Sequence, residues 1–254
     1  MFGIFKKKEK KAIDTTRVVE NWSFLKTDIH SHLIPGIDDG TECMEDTIDL
    51  LKRLKKAGFS KVVTTPHISQ DYFPNKESDI LKGLDAVRAE VLKQGLEIEV
   101  EAAAEYMVDE IFMSKLANGE KLLTLDGKHV LIEMGFVQES PHLMQAIFQL
   151  QVNGYIPVLA HPERYNFYID SANGIASLKT LKEAGCLLQL NIIALTGYYG
   201  MHIKKFSEQI LEHELYDFSG SDLHHLRHFG ALDALLNYPV AQYLFNYNFL
   251  NKQI

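Results

Sequence analysis

Cysteine is nearly missing from this chain: Cys43 and Cys186 are the only two in 254 residues. Two are too few for a disulfide framework and suit a reducing compartment, which gives a cytoplasmic expectation. Neither is followed six residues later by arginine, so a cysteine-nucleophile route to phosphoester hydrolysis is excluded. Long apolar runs are also lacking, and none reaches the roughly 18 residues that span a bilayer. Positive charge is in the minority. With 26 Lys+Arg against 34 Asp+Glu, the formal net charge is -8, which argues against nucleic acid as a main partner because phosphate backbones are bound by basic grooves. A local basic site for a small anion stays open. No Gly-rich loop ending in Lys-Ser or Lys-Thr occurs, and no G-x-S-x-G elbow. No linker rich in proline, glycine or serine divides the chain, and no internal repeat appears. One domain over 26–254 is therefore expected, after an N-terminal extension over 1–25. That extension opens MFGIFKKKEKKA, the wrong order of charge and apolar residues for a secretory signal. Phe2, Ile4 and Phe5 ahead of five lysines suit weak contact with an anionic membrane surface, although a solvated flexible tail is the stronger reading.

What the chain does have is regular alternation. The 46% hydrophobic content is enough for a full core. Apolar runs predict strands at Thr27–His30, Lys61–Thr65, Glu97–Ala103, His129–Met134, Ile156–Ala160, Leu187–Asn191 and Tyr216–Gly220. Helical patterns lie between them, near Glu42–Lys56, Asn75–Gln94, Glu139–Asn153, Ala176–Ala184, Met201–Glu214 and Gly230–Phe249. Repeated strand-then-helix units imply a mostly parallel sheet. A closed or nearly closed barrel is favoured over an open doubly wound sheet, and single barrels often run to about 200–250 residues.

Metal-liking side chains gather at the C-terminal edges of these strands. The first leads into KTDIHSHLIPGIDDG, with His30, His32, Asp38 and Asp39; the second into TTPH at His67; the third into AAAEY at Glu105. The fourth ends in LIEMG at Glu133, the fifth in LAHPERY at His161 and Arg164, and the last in SGSDLHH at Asp222, His224 and His225. Active sites of α/β barrels are built at that end, where loops converge. Singly, each residue has a bland explanation: a structural histidine, an ion pair, or a turn or helix cap made by Asp38 and Asp39. Their coincidence needs another. Buried carboxylates cost several kcal/mol unless paired with a cation, and lysine and arginine are too scarce at these strand ends to balance them. Divalent metal ions are the natural counter-charge.

Imidazole and carboxylate without thiolate suits manganese, iron or zinc in a catalytic role. His30, His32, Asp39, His67, Glu105, Glu133, His161, Asp222 and His224 are too many for one ion, and two or three bridged ions fit the count. Such clusters generate hydroxide near neutral pH and clamp a transferring phosphoryl group. Tyr198 and Tyr199 in LTGYYG suit either a pocket for an aromatic substrate or a cover over the barrel mouth.

In order and spacing, DIHSHLIPGIDDG, TTPH, EYMVD, LIEMG, VLAHPERY and GSDLHH resemble the polymerase and histidinol phosphatase (PHP) superfamily. They are most similar to its bacterial capsule-associated, metal-dependent tyrosine phosphatases. The resemblance runs from about Asp28 to the last helix. It implies a distorted TIM-like (β/α)7 barrel with three metal ions, most often manganese. By the resemblance, His30, His32, Glu105 and Asp222 would hold one ion. Glu105 would bridge to a second held also by Glu133 and His161, and Asp39, His67 and His224 would hold the third. Arg164 matches an arginine that contacts phosphate. Arg227 is assigned a similar role, although LRHFG departs from the usual wording there.

The resemblance implies attack of a metal-bridging hydroxide on phosphotyrosine, with the metal ions and Arg164 stabilising the equatorial oxygens. The implied partner is the tyrosine-rich tail of a bacterial tyrosine kinase that controls capsule or exopolysaccharide synthesis. Two rival readings keep the same site: a phosphoesterase for a small phosphomonoester such as histidinol phosphate, and an inactive metal-binding regulatory module.

Overall fold

The structure, a computed structural model, describes residues 19–254, so the expected membrane contact at Met1–Lys11 lies outside the described residues. Strands β1 (Thr27–Asp28), β2 (Lys61–Thr64), β3 (His67–Ile68), β4 (Glu99–Ala102) and β5 (Glu105–Met107) are followed by β6 (His129–Glu133), β7 (Ile156–Ala160), β8 (Leu187–Asn191) and β9 (Phe218–Gly220). Among them run α1 (Met44–Lys56), α2 (Glu77–Lys93), α3 (Glu110–Ala117), α4 (Leu143–Val152) and α5 (Asn166–Ile169), then α6 (Gly174–Glu183), α7 (Met201–Glu212), α8 (Leu226–Leu235) and α9 (Pro239–Asn246). Every strand pairing is parallel.

The strands divide into a sheet ordered β1-β2-β4 and another ordered β3-β5-β6-β7-β8-β9. The division is a kink. β2 continues into β3 through Thr65 and Pro66, and proline has no N–H to give a ladder. β4 continues into β5 through Ala103 and Ala104. Across this kink, Ala103 N–H donates to Thr64 O at 2.8 Å and Glu105 N–H to Pro66 O at 3.1 Å. The strands thus act as seven staves. The ring closes where Ser31 bridges Leu223 in parallel, with His32 N–H on Leu223 O and Asp222 N–H on His30 O, both at 2.8 Å. The fold is a distorted (β/α)7 barrel.

Below that bridge, side chains replace backbone rungs. Asn251 Nδ2 donates to Thr27 O at 2.9 Å and Ser219 O at 2.7 Å, and its Oδ1 accepts from Ser219 N–H at 3.0 Å. Asp28 accepts from Ser221 N–H at 2.9 Å and Ser221 Oγ at 2.6 Å. Both side chains are fully buried, so the seam meets the demand that buried backbone groups be paired.

Two apolar layers follow from strand alternation. Ile29, Val63, Ala103, Leu131, Val158, Ala160 and Phe218 fill the barrel interior. Val62, Val100, Val130, Ile132, Leu159 and Leu188 face the helices. α1 meets this outer layer with Ile48, Leu51 and Leu54, spaced three residues apart along one helical face. Interior alternation also positions the site: Glu105 lies two residues beyond Ala103, and Glu133 two beyond Leu131.

Three features differ from expectation. The helix expected over Gly230–Phe249 is two helices that break at Tyr238–Pro239, because proline cannot continue the ladder. α3 and α5 are helices where none was expected. Within the expected extension, Trp22 and Leu25 are buried in the main core, so packing starts ahead of Lys26. No helix among the described residues is long and apolar enough to cross a membrane.

Candidate metal centre

The nine candidate ligands meet at the C-terminal mouth of the barrel, around Glu105. Its Oε2 lies 3.1 Å from His30 Nε2, 3.4 Å from His32 Nε2 and 3.2 Å from His67 Nδ1, and its Oε1 lies 2.9 Å from His161 Nε2. Asp222 Oδ1 lies 3.3 Å from His30 Nε2, 3.5 Å from His32 Nε2 and 3.5 Å from His224 Nδ1. Asp39 Oδ1 lies 3.5 Å from His67 Nε2 and 3.4 Å from His224 Nε2, while Glu133 Oε1 is 2.8 Å from His67 Nδ1.

Backbone geometry aims these groups. His161 directly after β7 and Asp222 two residues after β9 have φ of 33° and 50°, left-handed conformations that L-residues hold at some cost and that recur at functional sites. They turn the chain back over the mouth at once. Gly220 permits the seam to close under the site, since a Cβ there would stand 2.5 Å from His30 Cβ.

A second ring of polar groups orients the first. His30 Nδ1 lies 2.9 Å from Gln189 Oε1, and His32 Nδ1 lies 2.8 Å from Asp38 Oδ2. Donation from Nδ1–H to those oxygens leaves each Nε2 lone pair aimed into the cluster, the arrangement typical of metal-bound imidazole. Asp222 Oδ2 accepts from Arg164 Nη1 at 2.7 Å and from Asn191 Nδ2 at 2.8 Å, so Asp222 Oδ1 alone faces the histidines. Gln189 and Asn191 escaped the sequence reading, although LLQLN on β8 puts amides at alternate, inward positions of an otherwise apolar strand. Asp38 reads from sequence as one of the acidic residues at the mouth or as a turn or cap, not as the partner of His32 Nδ1.

Charge on the protein alone does not balance comfortably. Burial favours a neutral His67, yet the charges of Glu133 and Glu105 outweigh it and lift the imidazole to about 10. Burial opposes charge on His32 too, but Asp38, Asp222 and Glu105 hold it well above its usual range. Glu105 and Asp222 are fully buried, which would raise them; surrounding imidazoles hold both well below the ordinary carboxylate range. Without a cation, the surrounding carboxylates drive these imidazoles toward the protonated form as substitute counter-charges. Among the described residues, His67 Nδ1 is 2.8 Å from Glu133 yet makes no hydrogen bond, and His161 Nδ1 is likewise buried without one. His30 and His32 hold Nε2 atoms 3.3 Å apart. Imidazole nitrogens facing carboxylates and one another fit divalent cations as the missing partners.

Ligand atoms fall within 4.8 Å of one another in four groups: His32, Asp39, His67, His224; His30, His161, Asp222; His30, His32, Glu105; and His67, Glu105, Glu133. This cuts across the expected sharing. Glu133 joins His67 rather than His161, because β3 and β6 flank β5 and their inward side chains meet over Glu105.

Arg164 ends the short 3-10 turn Pro162–Arg164. Its guanidinium carbon sits 4.9 Å from the Phe136 ring centroid and 4.5 Å from that of Tyr199. Glu163 does not pair with it; that carboxyl is buried, accepts from Asn191 N–H at 2.7 Å and Tyr216 OH at 2.9 Å, and is pushed up to about 7 by burial. Arg227 is exposed on the first turn of α8, and among the described residues no ion pair of the cluster includes it. His225 is also exposed there, and its imidazole caps α8.

The sequence profile of the capsular polysaccharide synthesis family CpsB/CapC matches residues 26–229. This chain is a CpsB/CapC family member. It is 30% identical to the tyrosine-protein phosphatase YwqE of Bacillus subtilis over 210 residues, 82% of each chain. Against the tyrosine-protein phosphatase CpsB of Streptococcus agalactiae serotype III it is 28% identical, over 78% of this chain and 83% of that one. A solved structure from work on YwqE and on CpsB of Streptococcus pneumoniae, described as metal-dependent tyrosine phosphatases, superposes with a TM-score of 0.76 at 27% identity. That match covers 89% of this chain and 90% of the other. The CpsB/CapC profile spans every candidate ligand from His30 to His224 and both candidate arginines.

Proposed function

We propose that this chain is a metal-dependent protein-tyrosine phosphatase, whose ions are held by His30, His32, Asp39, His67, Glu105, Glu133, His161, Asp222 and His224. The observation that carries the reading is the mouth itself: three buried carboxylates, Glu105, Glu133 and Asp222, among histidines, with an arginine at the rim. The activity of its CpsB/CapC relatives supports the same reading. Three ions, manganese foremost with iron or zinc as alternatives, fit a donor set of oxygen and imidazole nitrogen. When bound, they supply counter-charge, Lewis acidity and a lowered pKa for water.

The protein's own groups do the rest. Gln189 and Asp38 fix the tautomers of His30 and His32, and Asn191 and Arg164 hold Asp222 Oδ2. Arg164 spends one Nη1 contact on Asp222, and the rest of its planar fork is available for phosphoryl oxygens whose charge grows in the transition state. The phenol leaving group has a pKa near 10, so weak proton donation suffices. Arg227 is a secondary phosphate contact in this reading. The barrel, with Trp22 and Leu25 packed into its core, forms the catalytic domain, in the cytoplasm, and the substrate is the phosphorylated tyrosine-rich tail of a kinase serving capsule or exopolysaccharide synthesis.

Assays of manganese-loaded protein on a phosphotyrosine peptide, a phosphoserine peptide and histidinol phosphate test it. Chelator-sensitive turnover should favour the phosphotyrosine peptide. Preference for histidinol phosphate, or turnover that survives metal removal, overturns the reading.

A further inference from the structure

We propose that Phe136 is a specificity-determining residue that holds the Arg164 guanidinium against Tyr199 and offers its free surface to the substrate's aromatic ring. This deepens the phosphatase reading above and rests on it. The two rings, 4.9 Å and 4.5 Å from the guanidinium carbon, enclose a planar cation that stacks well on aromatic faces. The walls of this sandwich are unequal. Tyr199 packs against the core, and its hydroxyl accepts from Asn191 Nδ2 at 3.3 Å. Phe136 is 40% exposed and lies on the segment between β6 and α4.

That segment is pinned at both ends. Met134 N–H donates to the Tyr165 hydroxyl at 3.0 Å, the Tyr168 hydroxyl donates to Glu139, and Ser140 Oγ donates to Val108 O at 2.9 Å. Between these ties Phe136 stands beside both halves of the site, 5.9 Å from the His161 ring as well as beside Arg164. Phe136 also packs on the Tyr165 ring at 5.7 Å, and the part of its ring that stays exposed faces outward, open to a ligand. A phosphoester whose oxygens reach both the His161 side of the cluster and Arg164 carries its organic group past this ring. An aryl group there stacks on Phe136; inorganic phosphate has nothing to place against it.

Calorimetric titration of metal-loaded protein with phenylphosphonate and with inorganic phosphate tests this, using wild type, Phe136→Ala, Phe136→Leu and Phe136→Tyr. Partial exposure keeps these variants foldable. Loss of the ring should weaken phenylphosphonate about tenfold and inorganic phosphate by about threefold or less, and tyrosine should restore both to within about twofold. Equal weakening of the two ligands in Phe136→Ala, or no weakening of either, overturns the inference. Binding is read without turnover. A protein that shows the Phe136-dependent preference for phenylphosphonate yet hydrolyses no phosphotyrosine peptide supports this role for Phe136 and overturns the phosphatase reading.

Discussion

Arg164 and His161 stand three residues apart, touch the same cluster, and should fail differently. Arg164 donates to Asp222 Oδ2, and Asn191 Nδ2 still holds that oxygen when the guanidinium is gone. Arg164→Ala should therefore keep its metal content while kcat/KM falls ten- to a thousandfold, about 1.4–4 kcal/mol. Lysine should recover only part, because a point charge lacks the planar fork and stacks less well between two rings. His161→Ala removes a group 2.9 Å from Glu105 and should lower metal occupancy and activity together. Elemental analysis beside steady-state kinetics separates the two. Full metal with wild-type kcat/KM in Arg164→Ala would take this arginine out of the chemistry.

At the scale of elements, the seam between β1 and β9 is held by side chains, and two variants probe it. Asn251→Ala removes four hydrogen bonds and leaves Thr27 O, Ser219 O, Ser219 N–H and Ser219 Oγ without those partners. A loss of about 2–4 kcal/mol in urea unfolding is expected, and a loss below about 0.5 kcal/mol would mean the seam closes without it. Asp28 gives the seam a pH dependence. Burial lifts its carboxyl from 3.8 to about 6, although hydrogen bonds from Ser221 pull the other way. Between those values the folded protein keeps a proton that the unfolded chain has released. The wild type is then relatively more stable below pH 3.8 and loses stability as pH rises through 6, by on the order of 3 kcal/mol. A carboxamide in its place has no such proton to release, so Asp28→Asn should gain on the wild type as pH rises. Unfolding midpoints of chelator-treated protein at about pH 4 and pH 7.5 measure this, and a gap that stays constant refutes it.

The whole molecule should behave as a metal enzyme without cysteine chemistry. Burial pushes the Cys186 thiol up to about 12, and its Sγ donates to Leu187 O; Cys43 is exposed and belongs to none of the donor groups at the mouth. Cys43→Ser with Cys186→Ala should keep turnover within about threefold. Chelation should abolish turnover and also lower the melting temperature, because ions that bind only the folded state stabilise it by mass action. Metal-replete protein should hold at least two ions per chain, the outcome expected of donors spread over four overlapping groups. Less than one ion per chain, or a melting temperature indifferent to chelator, would contradict a multinuclear site.

Much of this was legible along the chain because a parallel barrel puts chemistry at one end of every strand. His30, His32, His67, Glu105, Glu133, His161 and Asp222 announce themselves as polar residues closing apolar runs, and local side-chain type is all that recognition needs. Even the break before Pro239 was written in the residue that cannot donate an N–H. Other features depend on which staves become neighbours when the sheet curls. Alternation says that Gln189 and Asn191 point inward, but only closure of the ring brings them to His30 and Asp222. Nothing near Asn251 tells that its amide will span Thr27 and Ser219, because that contact joins positions 224 residues apart. The sharing of donors, with Glu133 beside His67, and the enclosure of Arg164 between Phe136 and Tyr199 were likewise decided by tertiary structure. Residue type sets which groups can bind a metal or a phosphate, whereas strand order, kinks and left-handed turns set which of them meet.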